Sequence, residues 1–119
     1  MFSFEDLEVY QKAFRVNQIV YSLLKRKEGM ASYVKNQFGR ASLSIMLNIA
    51  EGSAKFSKRD RRNFYITARG SVFECFALVS FLSDEGEIVS DTKDELQTSF
   101  EEISKMLFAM IKNLNDGKG

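Results

Sequence analysis

The sequence predicts an all-α fold, an antiparallel up-down four-helix bundle that assembles as a homo-oligomer. Apolar residues recur every three or four positions along four segments, which is typical of amphipathic helices. Short connections containing Gly or Ser separate these segments, and the 119 residues include no proline that would interrupt a long helix. We assign residues 1–115 to one bundle domain and residues 116–119 to a frayed tail.

The first helix is predicted to begin at Ser3, because Ser3-x-x-Asp6 has the form of a capping box, and to end before Gly29. The second is predicted over residues 32–53. Both carry apolar stripes at helical spacing, and helix two carries a second one. The stripe of helix one is Leu7, Tyr10, Phe14, Val20 and Leu24; those of helix two are Val34, Phe38, Ala41, Ile45 and Ile49, and Leu43, Leu47 and Ala50.

The third helix is predicted to start at Ser57, where Ser57-x-x-Asp60 is again a capping box, and to end near Ser83 before Gly86. The fourth is predicted to open at Asp91 or Thr92. Each has one stripe suited to a core. These stripes are Phe64, Ala68, Val72, Cys75, Val79 and Leu82 in helix three, and Leu96, Phe100, Ile103, Leu107, Met110 and Leu114 in helix four.

Helix three carries more apolar surface than an isolated bundle can bury. Phe73, Phe76 and Phe81 fall outside its core stripe. Burying three such rings against a neighbour would contribute several kcal/mol, at about 25 cal/mol per Å². A contiguous exposed patch of this kind usually marks an interface, so we expect these residues to lie between subunits of a homo-oligomer; the alternative is a wide core that absorbs them.

Polar residues interrupt the apolar helices in a regular pattern. Arg40, Asn48 and Glu51 share one face of helix two with Ser44. Antiparallel pairing around residues 54–56 would place Glu51 near Arg59 or Arg62, and Arg40 near Glu74. We interpret Arg40, Asn48, Glu51 and Glu74 as a structural polar network, because buried charges require partners.

The competing interpretation of the two acids is a carboxylate-centred hydrolase. Glu51 and Glu74 would lie about 23 Å apart in this register, too far to act on one bond. Gly70, in the middle of helix three, is predicted to let a neighbouring helix approach closely.

A basic cluster opens the third helix and is flanked by Phe56 and Phe64. Such residues can contact phosphates and stack on bases, so the cluster is a candidate RNA- or DNA-binding site; the alternative is a solvated helix start. Residues 1–70 carry 13 Lys/Arg and 6 Asp/Glu, a net charge of +7, whereas residues 71–119 carry 4 and 10, a net charge of −6. The cluster consists of Lys55, Lys58, Arg59, Arg61 and Arg62.

The composition excludes several function classes. The chain has no histidine and one cysteine, Cys75, so a zinc, haem or iron–sulfur site is not expected, and neither is a catalytic residue or cofactor. The N-terminus shows no signal peptide, and no apolar run approaches the roughly 20 residues of a membrane helix. We therefore expect a cytoplasmic protein with no membrane partner.

Three segments resemble a known family. They are "F.DLEVYQKAF" near the start, "GRASLSIMLNIAEG" in helix two and "FYITARGSVFEC" in helix three, with Asn48 to Gly52 as the most specific element. They are similar to the four-helix bundle proteins encoded in intervening sequences of bacterial 23S ribosomal RNA genes. The resemblance implies a homopentameric ring without established catalytic residues. A related, more basic branch comprises accessory proteins of diversity-generating retroelements that bind nucleic acid and reverse transcriptase.

These observations together predict a non-enzymatic homopentameric scaffold or adaptor. Its partner would be itself and an RNA- or protein-containing complex. The first alternative is a direct RNA- or DNA-binding accessory factor that uses the basic cluster. The near-neutral net charge of +1 and the acidic start of helix four differ from the basic branch of the family.

Overall fold

Four long α-helices make up the protein in a computed structural model, which describes residues 2–116. A 3-10 turn, Ser3–Asp6, precedes α1 (Glu8–Arg26), α2 (Ser32–Ser53), α3 (Lys58–Asp84) and α4 (Ser90–Asp116). The all-α class and the four helices are confirmed, and residues 2–116 contain no strand. The predicted bounds of α2 match, and those of α3 and α4 differ by one or two residues. The predicted fraying of residues 117–119 falls outside the described residues.

Each helix packs against the next one along the chain, and α1 also packs against α4. Side-chain contacts between α2 and α3 run in opposite directions along the two sequences, which makes these helices antiparallel. We call the end of the bundle where α1 and α3 finish the upper end, and the end where α3 begins the lower end. The α2–α3 contacts join Ser53 to Tyr65, Ser44 to Ser71 and Gln37 to Glu74.

The two predicted capping boxes have different outcomes. The Ser57 hydroxyl accepts a hydrogen bond of 3.0 Å from the Asp60 backbone N–H, as predicted. The predicted start at Ser3 is wrong: Leu7 has extended backbone angles (φ −71°, ψ 126°) and separates the 3-10 turn from α1. The Glu5 carboxylate accepts from the Phe2 backbone N–H at 2.7 Å, so the polar residues here close a short turn.

The core follows the predicted stripes of α2, α3 and α4 closely, except that Tyr65 is buried in place of Phe64, whereas α1 is rotated from its prediction. In α1 the smaller residues Val9, Ala13, Val16 and Val20 are buried, and the Phe14 side chain stays 46% exposed. Both sets have helical spacing, so the pattern alone did not select between them. The core contributed by the other helices includes Val34, Phe38, Ala41, Ile45, Ile49, Ala68, Val72, Cys75, Val79, Leu82, Leu96, Phe100, Ile103 and Leu107.

A close helix approach occurs at Gly52 and not, as predicted, at Gly70. A Cβ atom on Gly52 would lie 2.8 Å from Phe64 Cβ and 2.9 Å from Tyr65 Cε1, so a larger residue would push α2 and α3 apart. A Cβ atom on Gly70 would meet nothing within 4 Å. Gly70 faces outward, so no packing among the described residues requires a glycine there.

One buried polar contact joins α1 to α2. The Asn17 side-chain amide donates to the Ser42 carbonyl at 2.8 Å and to the Ala13 carbonyl at 3.0 Å. The Ser42 hydroxyl donates to the Asn17 amide oxygen at 3.0 Å. Because the buried amide has these partners, it adds specificity to an otherwise apolar contact.

By length and composition, α3 could cross a membrane, contrary to the expectation that no segment could. Residues 65–82 contain only two charged side chains, Arg69 and Glu74. A central helix of a soluble bundle meets the same criterion. Here α3 packs against α2 on one side and α4 on the other, and its apolar excess lies on its outward face.

Candidate assembly surfaces and basic end

An apolar strip runs along the outward face of α3, and we call it the α3 stripe: Ile66, Gly70, Phe73, Ala77 and Phe81. The side chains of Phe73, Phe81 and Ile66 are 53%, 51% and 48% exposed. Their spacing of three or four residues places them on one helix face. Of the residues predicted to lie between subunits, Phe73 and Phe81 are therefore exposed, whereas Phe76 is half-buried against the core. Their role in an interface stays a prediction.

Arg69 holds the α4 side of this stripe in place. Its guanidinium lies 4.8 Å from the Phe73 ring centroid and 5.2 Å from that of Phe108, so it stacks between two exposed aromatic rings. Its Nε–H donates to the Ser104 carbonyl at 3.2 Å. Sequence analysis missed Ile66 and Phe108, although both could have been found by drawing α3 and α4 as helical wheels.

A second apolar surface lies between α1 and α2, and we call it the α1–α2 groove. It encloses a cavity of about 540 Å³. Its walls include Phe14, Tyr21, Leu24, Leu43 and Met46, with Lys25 and Lys35 at the upper end and no acidic residue in the lining. Of the second stripe predicted on helix two, Leu43 forms part of a groove wall and Leu47 and Ala50 do not; the contribution of Tyr21 was missed.

The predicted polar network is only partly assembled. The Ser44 and Ser71 hydroxyls are hydrogen-bonded at 2.8 Å, and the Asn48 amide donates to the Ser44 carbonyl at 2.8 Å and to its hydroxyl at 3.0 Å. The Glu74 carboxylate accepts a hydrogen bond from the Gln37 amide. Asn48 thus bonds within α2 and Glu74 bonds across to α2, and a purely structural role for them stays a prediction.

Neither predicted ion pair forms. Arg40 and Glu51 are exposed, and the ion pairs within residues 2–116 are Lys12 with Glu102 and Lys27 with Glu87. The Ser44–Ser71 contact shows that α2 and α3 are offset by about one and a half helical turns from the predicted register. This register shortens the axial distance between Glu51 and Glu74 to about 15 Å, still too long for a carboxylate pair acting on one bond.

The basic cluster lies at the lower end of the bundle, and most of its members contact the protein itself. Arg61 Nε–H donates to the Lys55 carbonyl at 2.7 Å, and Lys55 Nζ lies 5.0 Å from the centre of the Phe64 ring. Arg62 Nη1 donates to the Asn115 side-chain oxygen at 2.9 Å, which ties α3 to α4.

Lys58, Arg59 and Arg62 line one cleft together with Leu114 and Asn115. Arg59 is exposed and faces outward. The structure thus brings three of the five basic side chains together, and it leaves Lys58 and Arg59 without a hydrogen-bond or ion-pair partner among the contacts of residues 2–116.

Cys75 is a buried residue of the core and not a surface nucleophile. Burial raises the pKa of its thiol from 9.0 to about 12, and the nearby negative charge of Glu74 adds to the rise. Among residues 2–116, no three His, Cys, Asp or Glu side chains are grouped so that they could hold a metal ion.

Comparison with known families identifies the chain. The family described as 23S rRNA-intervening sequence protein matches residues 5–109. The chain belongs to this family. Among the solved structures, it is similar to a protein of unknown function from the S23 ribosomal protein family of Bacteroides thetaiotaomicron VPI-5482. The two share 24% identity with a TM-score of 0.83, over 87% of this chain and 98% of the other, which supports the four-helix fold. No curated protein matches the chain.

Proposed function

We propose that the protein is a non-enzymatic scaffold or adaptor of the cytoplasm that works as a homopentameric ring. The observation that carries this proposal is the α3 stripe, where Ile66, Phe73 and Phe81 each leave about half of their side chain in water. Covering these side chains would contribute several kcal/mol, at about 25 cal/mol per Å². The number five and the scaffold role come from the family resemblance.

Light scattering of the purified protein at micromolar concentration tests this assembly. We expect a mass several times 13.6 kDa, and five times that value for a pentamer. Phe73→Glu should lower the mass, because it places a carboxylate in an interface that excludes water. Phe56→Glu is the matched control, since Phe56 is fully exposed in the α2–α3 connection and lies outside the stripe. A monomeric wild type would contradict the proposal.

A direct nucleic-acid-binding role is the second candidate, and the cleft formed by Lys58, Arg59 and Arg62 favours it. In a ring, every subunit would place this cleft at the same end and multiply its positive field. Binding would then weaken steeply as salt rises, because each phosphate contact releases counterions.

The test uses Lys58→Glu with Arg59→Glu, since Arg61 and Arg62 hold the fold. We expect the double variant to lose retention of a mixed RNA and DNA pool at low salt, at least about tenfold. Arg26→Glu with Lys93→Glu, at the end of α1 and the start of α4, makes the same charge change at the upper end of the bundle, away from the cleft. If both double variants bind as the wild type does, the basic cluster is not a nucleic-acid site.

A further inference from the structure

We propose that the α3 stripe of one copy seats in the α1–α2 groove of the next, so that the copies join head to tail. This inference rests on the proposed self-assembly and names the two surfaces that meet. In this arrangement, the occupant of the groove is a second copy of this chain.

The groove is built for an apolar occupant. Its polar floor residues, Asn17 and Ser42, bond to each other and to backbone carbonyls, so they have little capacity left for a polar ligand. Phe14, Tyr21 and Leu43 in the walls are 46%, 68% and 48% exposed. An amphipathic helix with a projecting aromatic ring is the kind of partner that such a groove accepts.

The two surfaces lie on different sides of the bundle. The groove faces outward between α1 and α2, whereas the stripe is on the outward face of α3, which packs against α2 and α4 but not against α1. One copy can therefore use its groove and its stripe at the same time. Contacts between unlike surfaces form rings or filaments, whereas a two-fold dimer pairs like with like.

The two surfaces are also at the same height along the bundle. Ser44 of α2 lies opposite Ser71 of α3, so Leu43 in the groove wall is about level with Phe73 in the stripe. By the same register, Lys35 at the upper end of the groove is about level with residue 80, beside Phe81. Copies joined without a shift along their axes stay in one plane, and they close into a ring when the rotation between neighbours divides a full turn.

Charges at the two ends favour copies that point the same way. Lys25 and Lys35 stand at the upper end of the groove, and Asp84 is exposed at the upper end of α3. At the lower end, Glu51 is exposed on α2 and Arg59 is exposed on α3. Parallel copies bring opposite charges together at both ends, whereas inverting one copy would bring Lys35 toward Arg59.

Gly70 gives independent support. It sits exposed in the middle of α3, where glycine costs about 1 kcal/mol relative to alanine, and a Cβ atom placed there would meet no neighbouring part of residues 2–116 within 4 Å. A helix lying close across the stripe gives this glycine a function, because a missing side chain permits close approach of a second chain.

The test mixes two variants that each damage one surface. Leu43→Glu places a carboxylate in the wall of the groove, and Phe73→Glu places one in the stripe. In head-to-tail assembly, neither variant alone has both an intact groove and an intact stripe, so the mass of each should be near 13.6 kDa. An equal mixture should form a species of about twice that mass, since the intact groove of one variant can accept the intact stripe of the other.

The outcomes separate the two proposals. If the wild type is an assembly but the mixture stays at the mass of the single variants, or if Leu43→Glu alone keeps a full stripe-to-stripe dimer, the pairing proposed here is wrong and self-assembly stands. If the wild type is a monomer, self-assembly itself fails. Helical circular dichroism equal to the wild type establishes that each variant is folded.

A charge exchange gives a second readout that does not depend on the apolar substitutions. Lys35→Glu should raise the dissociation constant of the assembly about two- to fivefold, and adding Asp84→Lys should restore it. Pairing Lys35→Glu with Glu102→Lys, which lies on the α1 side of α4, is the matched control and should not restore assembly. Equal rescue by both second substitutions would overturn the proposed direction of the copies.

Discussion

Helices α3 and α4 are both 27 residues long and belong to the same bundle, yet they distribute their apolar residues differently. On α4, Leu96, Phe100, Ile103 and Leu107 are fully buried. Among the residues of α4 whose exposure the structure describes, Phe108 is the one large apolar side chain that is more than half exposed. On α3, a buried stripe is matched by an outward one containing Ile66, Phe73 and Phe81.

The comparison separates two demands on a helix. A helix that only completes a bundle needs one apolar seam, and α4 meets that demand with a polar outer face. The α3 stripe contributes little to the core of its own chain, because about half of each of its large side chains faces water. Variants that act on one seam and spare the other can therefore test the distinction.

The largest contrast should come from the same substitution made in each helix. Phe100→Ala removes a fully buried ring and should lower the free energy of unfolding by about 3–5 kcal/mol, since the cavity adds to the lost burial. Phe73→Ala should lower it by less than about 1 kcal/mol in the dilute single chain. Urea unfolding followed by circular dichroism measures both; equal losses would place Phe73 in the core of its own chain.

Glycine substitutions make the same comparison within the α2–α3 hairpin. Gly52→Ala should destabilise the fold by about 1–3 kcal/mol, because its new methyl group would press on Phe64 and Tyr65. Gly70→Ala should stabilise the dilute chain by up to about 1 kcal/mol, because alanine favours helix and has room here. Thermal unfolding of both variants checks the opposite signs; a loss at Gly70 would contradict the open geometry.

The last effect is absent at neutral pH and appears only in alkaline solution; it concerns the thiol on the buried side of α3. Because the pKa of Cys75 rises from 9.0 in the unfolded chain to about 12 in the fold, the folded state holds this proton more tightly. The contribution of the protonated thiol to the free energy of unfolding is therefore complete below pH 9 and is lost as pH rises toward 12, at about 1.4 kcal/mol per pH unit.

Comparing the wild type with Cys75→Ala isolates this contribution, because the variant lacks the titrating group. The free energy of unfolding should fall more steeply with pH above 9 in the wild type than in the variant. A thiol reagent should also label the native wild type slowly and the urea-unfolded chain fast. Parallel pH profiles, or rapid native labelling, would show that the thiol is accessible to water.

Much of the fold could be predicted because its signals are local. The α2 stripe from Val34 to Ile49 and the α4 seam from Leu96 to Leu107 repeat at helical spacing, and burial on one side of each helix follows directly. The cap at Ser57 could likewise be predicted, because a serine three residues before an aspartate directly precedes a helical pattern. The excess of apolar residues on α3 was visible in the same way.

The features that sequence analysis missed depend on how helices sit against one another. The rotation of α1 was not predictable, since the sets containing Phe14 and Val16 both have helical spacing. Arg40 and Glu51 form no ion pair because both side chains are exposed, while Glu74 bonds to Gln37 and Arg62 bonds to Asn115. The offset of α2 and α3 from the predicted register, by about one and a half turns, was not predictable either. That offset is set by contacts such as the one between Gly52 and Tyr65, which the spacing of charges does not reveal.

The buried hydrogen bonds between Asn17 and Ser42 carry a consequence for the shape of the molecule. Aliphatic side chains tolerate sliding by a few ångströms, whereas a buried amide loses its partners as soon as it slips. This pair therefore fixes the position of α1 along the axis of α2, and the shape of the α1–α2 groove depends on it. Replacing both residues with aliphatic ones of similar size would leave a folded chain whose first helix could settle at more than one height.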